Sequence, residues 1–211
     1  MTRVVIADDH AIVREGLKRI LQGQADIEIA GEATNGHEVM ERVRAGGFDM
    51  LLLDLSMPGK SGIELIRQVK DERPKLPVLI LTMHEEDQYA LRAIRAGASG
   101  YLTKESAPEL LVAAIRKIAS GRPFISAHVA EQLALDAMPR GETGQAPHKQ
   151  LSDREFEVFR LLVEGRSVTE IAGQLHLSVK TVSTHKTRVL EKLGVASIAD
   201  LVRYAMENRL F

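Results

Sequence analysis

The chain of 211 residues contains no cysteine, which excludes disulfide bonds and thiolate metal sites. Its seven histidines are scattered and show no zinc-binding spacing. No stretch approaches the ~18 unbroken apolar residues that a membrane span requires. The N-terminus enters an apolar run directly, without a basic and apolar leader. We therefore expect a cytoplasmic protein with no membrane partner.

The chain also carries almost no net charge, since its formal net charge is −1. This balance hides an uneven distribution along the chain. Residues 1–121 carry 16 Lys/Arg against 18 Asp/Glu, whereas residues 178–192 carry four basic residues against one acidic residue. Any contact with a polyanion is therefore expected near the C-terminus.

Short apolar runs alternate with segments of helical period in the first part of the chain. Such alternation predicts a parallel sheet with helices on both faces, in which ligands sit at the carboxyl ends of the strands. The predicted strands are residues 3–7, 27–33, 50–55, 77–82 and 100–104, and helical segments follow each of them.

The pattern changes after residue 121. A short helix is predicted around residues 126–136, and the Pro, Gly and Gln of residues 139–150 read as a flexible tether. From Leu151 onward every segment is helical, with serines at plausible N-cap positions. We predict three parts: an α/β domain at 1–121, a linker at 122–149 and an all-α domain of four helices at 150–211.

Polar side chains gather at one edge of the predicted sheet. They follow the first, third, fourth and fifth strands, as Asp8 and Asp9, Asp54, Thr82 and Lys104. The carboxylates of Asp8, Asp9 and Asp54 would repel one another at this edge, and a hard divalent cation, Mg²⁺, would relieve the repulsion. A metal and Lys104 would offset the charge of an incoming phosphoryl group, with Asp54 as the nucleophile.

A plainer alternative exists for each of these residues, because strand ends are commonly polar where a chain leaves the core. The conjunction of all five is harder to explain in that way. The segments "ADDH", "LLLDLSMPGKSGIEL", "ILTMH" and "AGASGYLTKE" resemble the receiver domain of bacterial two-component response regulators over residues 1–121. This resemblance implies a flavodoxin-like fold and a phosphoryl group accepted by Asp54 from a sensor histidine kinase, followed by slow hydrolysis.

The resemblance also implies roles for the residues around Asp54. Mg²⁺ would be held by Asp9, Asp54 and the main-chain carbonyl of Ser56, with Asp8 acting through water. The phosphoryl oxygens would be bound by Thr82 and Lys104, and Tyr101 matches the aromatic side chain that swings inward on activation. Taken alone, Tyr101 also fits an ordinary half-buried sheet aromatic.

Two short helices in the second part are separated by a tight "HL" connection, which is the sequence form of a helix-turn-helix. In the second of these helices, Val182, Val189 and Leu193 recur at helical spacing and would pack on Ile171 and Leu175 of the first. The opposite face offers cations and small hydroxyls that suit a major groove, although a charged helix face is usually only solvated: Lys180, Ser183, Thr184, Thr187 and Arg188.

Residues 151–195 resemble the DNA-binding domain of the LuxR type, and their place behind a receiver is typical of the NarL/FixJ subfamily. By that resemblance the second helix is the recognition helix, with bases read by Ser183, Thr184 and Thr187. Contacts to the DNA backbone would come from Lys180, Thr181, His185, Lys186 and Arg188. The last helix would support dimerisation on paired half-sites, and the residues expected there are Leu201, Val202 and Ala205.

The function implied is a DNA-binding transcription factor switched by phosphorylation of Asp54. Its expected partners are promoter DNA, a sensor histidine kinase, RNA polymerase and a second copy of the chain on activation. No enzymatic activity is expected beyond self-phosphorylation and slow self-dephosphorylation. An aspartate-dependent phosphohydrolase is the competing class, but such sites carry a second Asp two residues after the nucleophile, where this chain has Ser56. A regulator independent of phosphorylation is the third alternative.

Overall fold

The structure is a computed structural model that describes residues 1–57, 62–83, 87–106, 108–137, 146–208 and 210. The chain divides into two compact units, Met1–Ala137 and Met138–Phe211. The turn at Pro58 and Gly59 and residues 139–145 of the predicted tether lie outside the described residues. No described helix is long and apolar enough to cross a membrane.

The first unit is built on a parallel sheet of five strands, as the alternating pattern predicts, and the strand order is β2-β1-β3-β4-β5. The strands are Thr2–Ala7 (β1), Ile27–Ala33 (β2), Met50–Leu53 (β3), Val78–Thr82 (β4) and Gly100–Thr103 (β5). The helices that alternate with them are Ala11–Gln22 (α1), Gly36–Ala45 (α2), Gly62–Glu72 (α3), Asp87–Arg95 (α4) and Pro108–Ala119 (α5).

The central strands are apolar because both faces of the sheet are covered. All four residues of β3 are buried. Successive side chains of a strand point to opposite faces. Met50 and Leu52 therefore share one face, where they join a cluster with Leu111 and Ile115 of α5.

The register of the strands brings the predicted polar residues to one edge. Ala7 pairs with Leu53 and Thr82 pairs with Thr103, so the residues that follow these strands leave the sheet side by side. The Asp54 amide donates to the carbonyl of Ala7 at 2.9 Å, and the Lys104 amide donates to the carbonyl of Thr82 at 2.7 Å.

Residues 122–137, which the sequence analysis places in the linker, pack on the first unit. The Phe124 amide donates to the Ser99 carbonyl at 3.0 Å, and the Phe124 carbonyl accepts from the Tyr101 amide at 3.1 Å. Helix Ala127–Ala137 (α6) then packs against α4. The physical reason is that β5 is an edge strand whose unpaired backbone groups accept a partner.

The described residues of the second unit form a 3₁₀ helix and four α-helices: Pro147–Gln150, Asp153–Val163 (α7), Val168–Gln174 (α8), Val179–Leu193 (α9) and Ile198–Glu207 (α10). A serine side chain caps the N-terminus of each α-helix by accepting a backbone N–H, and these serines are Ser152, Ser167, Ser178 and Ser197. Gly194 ends α9 in the left-handed conformation, with φ of 67°. Local sequence therefore defines where these helices begin and where the longest one ends.

The core of the second unit forms where α7, α8 and α9 meet. Phe156 and Phe159 of α7 are fully buried and pack edge to face at 6.0 Å. The apolar residues predicted to join α8 to α9 are all buried, and the two helices are in contact. His176 makes the turn between them with φ of 52°.

Gly100 lies where β5 packs closely against α5, β4 and the segment that follows α5. A Cβ atom at Gly100 would lie 2.8 Å from Ile118 Cδ1, 2.9 Å from the Phe124 carbonyl oxygen and 3.0 Å from Leu79 Cδ1. Gly100→Ala should therefore lower the free energy of unfolding of the first unit by about 1–3 kcal/mol in urea titrations followed by circular dichroism.

Gly16 supplies the matched control, because no atom lies within 4 Å of a Cβ atom added there in α1. Gly16→Ala should raise the free energy of unfolding by about 0.5–1 kcal/mol. Equal stability of the two alanine variants would contradict the close packing at Gly100.

Candidate functional site

Two buried carboxylates share one ammonium group at the carboxyl edge of the sheet. Lys104 Nζ lies 2.7 Å from Asp8 Oδ2 and donates a hydrogen bond of 2.8 Å to Asp54 Oδ2. The side chains of Asp8 and Asp54 are 2% and 1% exposed. The strand ends predict that Asp8, Asp54 and Lys104 meet here, and the structure brings them together.

Burial and charge act against each other at this pair. Burial raises the pKa of the Asp54 carboxyl above its ordinary value, although the Lys104 ammonium and the Ser56 amide act in the opposite direction. Burial acts to lower the pKa of Lys104, but the hydrogen bonds and charges of Asp54 and Asp8 outweigh it, so the pKa lies above its ordinary value. A new charge placed on Asp54 would therefore act directly on Lys104.

The carboxylates form a cluster that can hold a cation. Ligand atoms of Asp8, Asp9, His10 and Asp54 all lie within 4.8 Å of one another. Three of the four ligands are carboxylate oxygens, which are the donors that hard divalent ions prefer. The donor set therefore fits a small divalent cation at this edge of the sheet.

His10 and Arg14 belong to this site, and the sequence analysis did not single out either residue. His10 Nδ1 lies 2.9 Å from Asp9 Oδ1 and 3.4 Å from Asp8 Oδ1. Arg14 Nη1 donates to the carbonyl of Asp8 at 2.8 Å, and Arg14 Nε pairs with Glu32 at 2.9 Å. The only signal for His10 was its position directly after the acidic pair.

Of the other predicted residues, Ser56 contacts the carboxylates, and Thr82 and Tyr101 lie on neighbouring strands. The Ser56 amide donates to Asp54 Oδ1 at 3.1 Å. Thr82 is fully buried at the end of β4. Tyr101 is half-buried on β5 and packs against a cluster that includes Ala90 and Val129, so its ring lies between the sheet and helices α4 and α6.

Helix α9 presents six of the eight predicted DNA-binding residues on a single exposed face. Its buried face carries Val182, Val189 and Leu193. The exposed residues are Lys180, Thr181, Ser183, Thr184, Thr187 and Arg188.

His185 and Lys186 are only half-buried, so they stand apart from the exposed residues of this face. Burial lowers the pKa of His185, and Glu155 of α7 acts against that shift. Lys192, further along α9, pairs with Glu155 at 2.6 Å. This ion pair fixes α9 against α7.

The residues predicted for dimerisation do not all face outward. Leu201 and Ala205 are buried at 0% and 1% exposure, and α10 packs against α7. Their side chains therefore belong to the core and cannot contact a second copy. The large exposed apolar side chains of α10 are Ile198 and Met206, with Val202 half-buried between them at a spacing of four residues.

Both units match known protein families. Residues 4–116 match the model of the response regulator receiver domain, and residues 149–205 match the model of bacterial regulatory proteins of the luxR family. The response regulator UvrY of Escherichia coli is 36% identical over 210 residues, covering 100% of this chain and 96% of that protein. The oxygen regulatory protein NreC of Staphylococcus aureus is 38% identical over 213 residues, covering 99% and 98%.

Solved structures show the same architecture along the whole chain. The RcsB response regulator of Salmonella typhimurium is 32% identical, with a TM-score of 0.73 and coverage of 98% of this chain and 97% of RcsB. RcsB bound to the promoter rprA with the phosphomimetic BeF₃⁻ is 31% identical, with a TM-score of 0.67 and coverage of 97% and 98%. The chain therefore belongs to the NarL/FixJ family of response regulators, DNA-binding transcription regulators that join a receiver domain to a LuxR-type domain.

Proposed function

We propose that a sensor histidine kinase phosphorylates Asp54 and that this modification switches the affinity of the chain for promoter DNA. The observation that carries the proposal is the buried Asp54 carboxylate, held beside Lys104 and inside an acidic cluster. An Asp54 oxygen attacks the phosphorus of a phosphohistidine, so that an O–P bond forms as the N–P bond breaks. Water later hydrolyses the acyl phosphate.

The residues around Asp54 have separate tasks in this reaction. Mg²⁺ is the proposed cation, held by Asp9, Asp54 and the main-chain carbonyl of Ser56, with Asp8 acting through water. When bound, it supplies positive charge against the phosphoryl oxygens. Lys104 pairs with those oxygens once Asp54 is modified, and the Thr82 hydroxyl donates to them.

The serine at position 56 distinguishes this site from that of an aspartate-dependent phosphohydrolase. No carboxylate stands two residues after Asp54 to act as a general acid. The site therefore supports one modification with slow release. Steady release of phosphate from small phosphate esters would favour the enzyme instead.

On the DNA side we propose that α9 enters the major groove and that a homodimer binds paired half-sites. The complex of RcsB with a promoter and BeF₃⁻ supports this assignment. The exposed stripe of Ile198, Val202 and Met206 on α10 is the proposed contact between copies. RNA polymerase is the proposed partner at the promoter.

Lys104→Met tests the site and its cation together. The variant leaves the buried carboxylates of Asp8 and Asp54 without their shared counter-charge, so the free energy of unfolding should fall by about 3 kcal/mol without metal. Added Mg²⁺ should restore most of this loss in the same urea titration. As a control, Lys18→Met removes a half-buried partner of Glu32, which keeps its ion pair with Arg14, and should change stability much less, with or without Mg²⁺. A loss at Lys104 that is equal in both conditions would contradict the proposed cation site.

Asp54→Asn tests the switch. Genomic DNA fragments are selected by the full chain with and without beryllium fluoride plus Mg²⁺, and we expect a paired-site motif to be enriched mainly with beryllium fluoride. The variant should lose this dependence, because its amide cannot bind the phosphoryl mimic. Asp71→Asn, in an exposed position of α3, is the matched control and should respond like the natural chain. Undiminished enrichment by Asp54→Asn would refute phosphorylation at that residue.

Met206→Asp tests the dimer contact, because Met206 is 72% exposed on α10. A charge in the apolar stripe should weaken binding to paired half-sites about tenfold or more, while binding to an isolated half-site stays the same. Met206→Leu keeps an apolar side chain of similar size in the stripe and should affect neither. Equal losses on paired and single sites in fluorescence anisotropy would argue against this stripe.

A further inference from the structure

The three hydroxyl side chains at the centre of the exposed α9 face differ in what they can donate. Thr184 Oγ1 donates to the carbonyl of Lys180 at 3.0 Å, and Thr187 Oγ1 donates to the carbonyl of Ser183 at 3.1 Å. The Ser183 hydroxyl makes no hydrogen bond within the part of the chain that the structure describes. The helix itself therefore uses the two threonine protons.

A threonine hydroxyl has one proton and two lone pairs. Once its proton is given to the helix, the oxygen can only accept. Phosphate oxygens and the N7 and O6 atoms of guanine are themselves acceptors, so neither group is matched by Thr184 or Thr187. What these side chains still present is a γ-methyl group and an oxygen that can accept from a base amino group.

The 5-methyl group of thymine is the apolar feature of the major groove that a γ-methyl group matches. Apolar surface also continues towards the start of α9, where Val179 is 49% exposed four residues before Ser183. No arginine lies between Lys180 and Arg188, so the centre of this face lacks the side chain best suited to guanine.

We propose that Thr184 and Thr187 recognise thymine through their γ-methyl groups, and that Ser183 is the hydrogen-bond donor of this face. The inference rests on the proposed function, in which α9 enters the major groove. It names the base edge that the helix selects. Specificity at these positions then comes from apolar contact, with the hydroxyl oxygens accepting from adjacent amino groups.

The test uses one random duplex library amplified with either dTTP or dUTP. Deoxyuridine removes the 5-methyl group of thymine and keeps every hydrogen-bonding group of the base. The full chain with beryllium fluoride and Mg²⁺ should bind fragments from the dTTP library more tightly, by about fourfold for each methyl contact. Sequences enriched from the dTTP library should carry thymine at the contacted positions.

Matched variants assign the contact to individual side chains. Thr187→Ser keeps the hydroxyl and loses the methyl group, so it should bind the dTTP library about fourfold more weakly. The ratio of its binding to the dTTP and dUTP libraries should fall by the same factor, because one methyl contact is lost. Thr187→Val keeps the methyl group, so it should weaken binding less than Thr187→Ser does. It should also retain the ratio of binding to the dTTP and dUTP libraries that the natural chain shows. The same pair is made at Thr184. Ser183→Ala should weaken binding to both libraries equally.

Two results would overturn the inference and can be told apart. If both libraries bind equally, or if valine weakens binding more than serine does, the γ-methyl groups do not carry the recognition, while DNA binding and the proposed function stand. If neither library is enriched, the placement of α9 on DNA fails and the inference fails with it.

Discussion

The ammonium group of Lys104, shared between the buried carboxylates of Asp8 and Asp54, is the interaction on which the first unit depends. Two carboxylates in a site of low polarity repel each other, and burial already favours the neutral form of Asp54. A single cation balances both. The fold must therefore bring the ends of three strands to one edge, which the parallel register achieves.

The same interaction makes β5, an edge strand, important for the whole first unit. Lys104 directly follows β5, and the strand carries Tyr101 on one side of the sheet. Its outer edge pairs with Phe124, whose segment leads into α6. A charge added to Asp54 would act first on Lys104, which directly follows β5.

The second unit depends on local caps and on one ion pair. Serine caps define the starts of its four α-helices, and Lys192 joins α9 to Glu155 of α7. The Tyr204 hydroxyl lies 3.0 Å from His148 Nδ1, which anchors the 3₁₀ helix to α10. These contacts fix the position of α9 within the second unit. The side chains of its exposed face therefore determine what the helix can bind.

Sequence alone predicted the α/β and all-α parts, the strands of the sheet and the meeting of Asp8, Asp54 and Lys104. These features follow from apolar periodicity and from strand ends, which are local properties, together with the geometry of parallel sheets. Only the tertiary structure decided that His10 and Arg14 join the site, because the placement of α1 and of its N-cap residue against the sheet sets their reach. It also decided that residues 122–137 cover the first unit, since nothing local in that segment specifies an edge strand as its partner. On α10 the two apolar stripes have the same spacing of four residues, so periodicity could not choose between them. Packing against α7 buries Leu201 and Ala205 and leaves Ile198 and Met206 exposed.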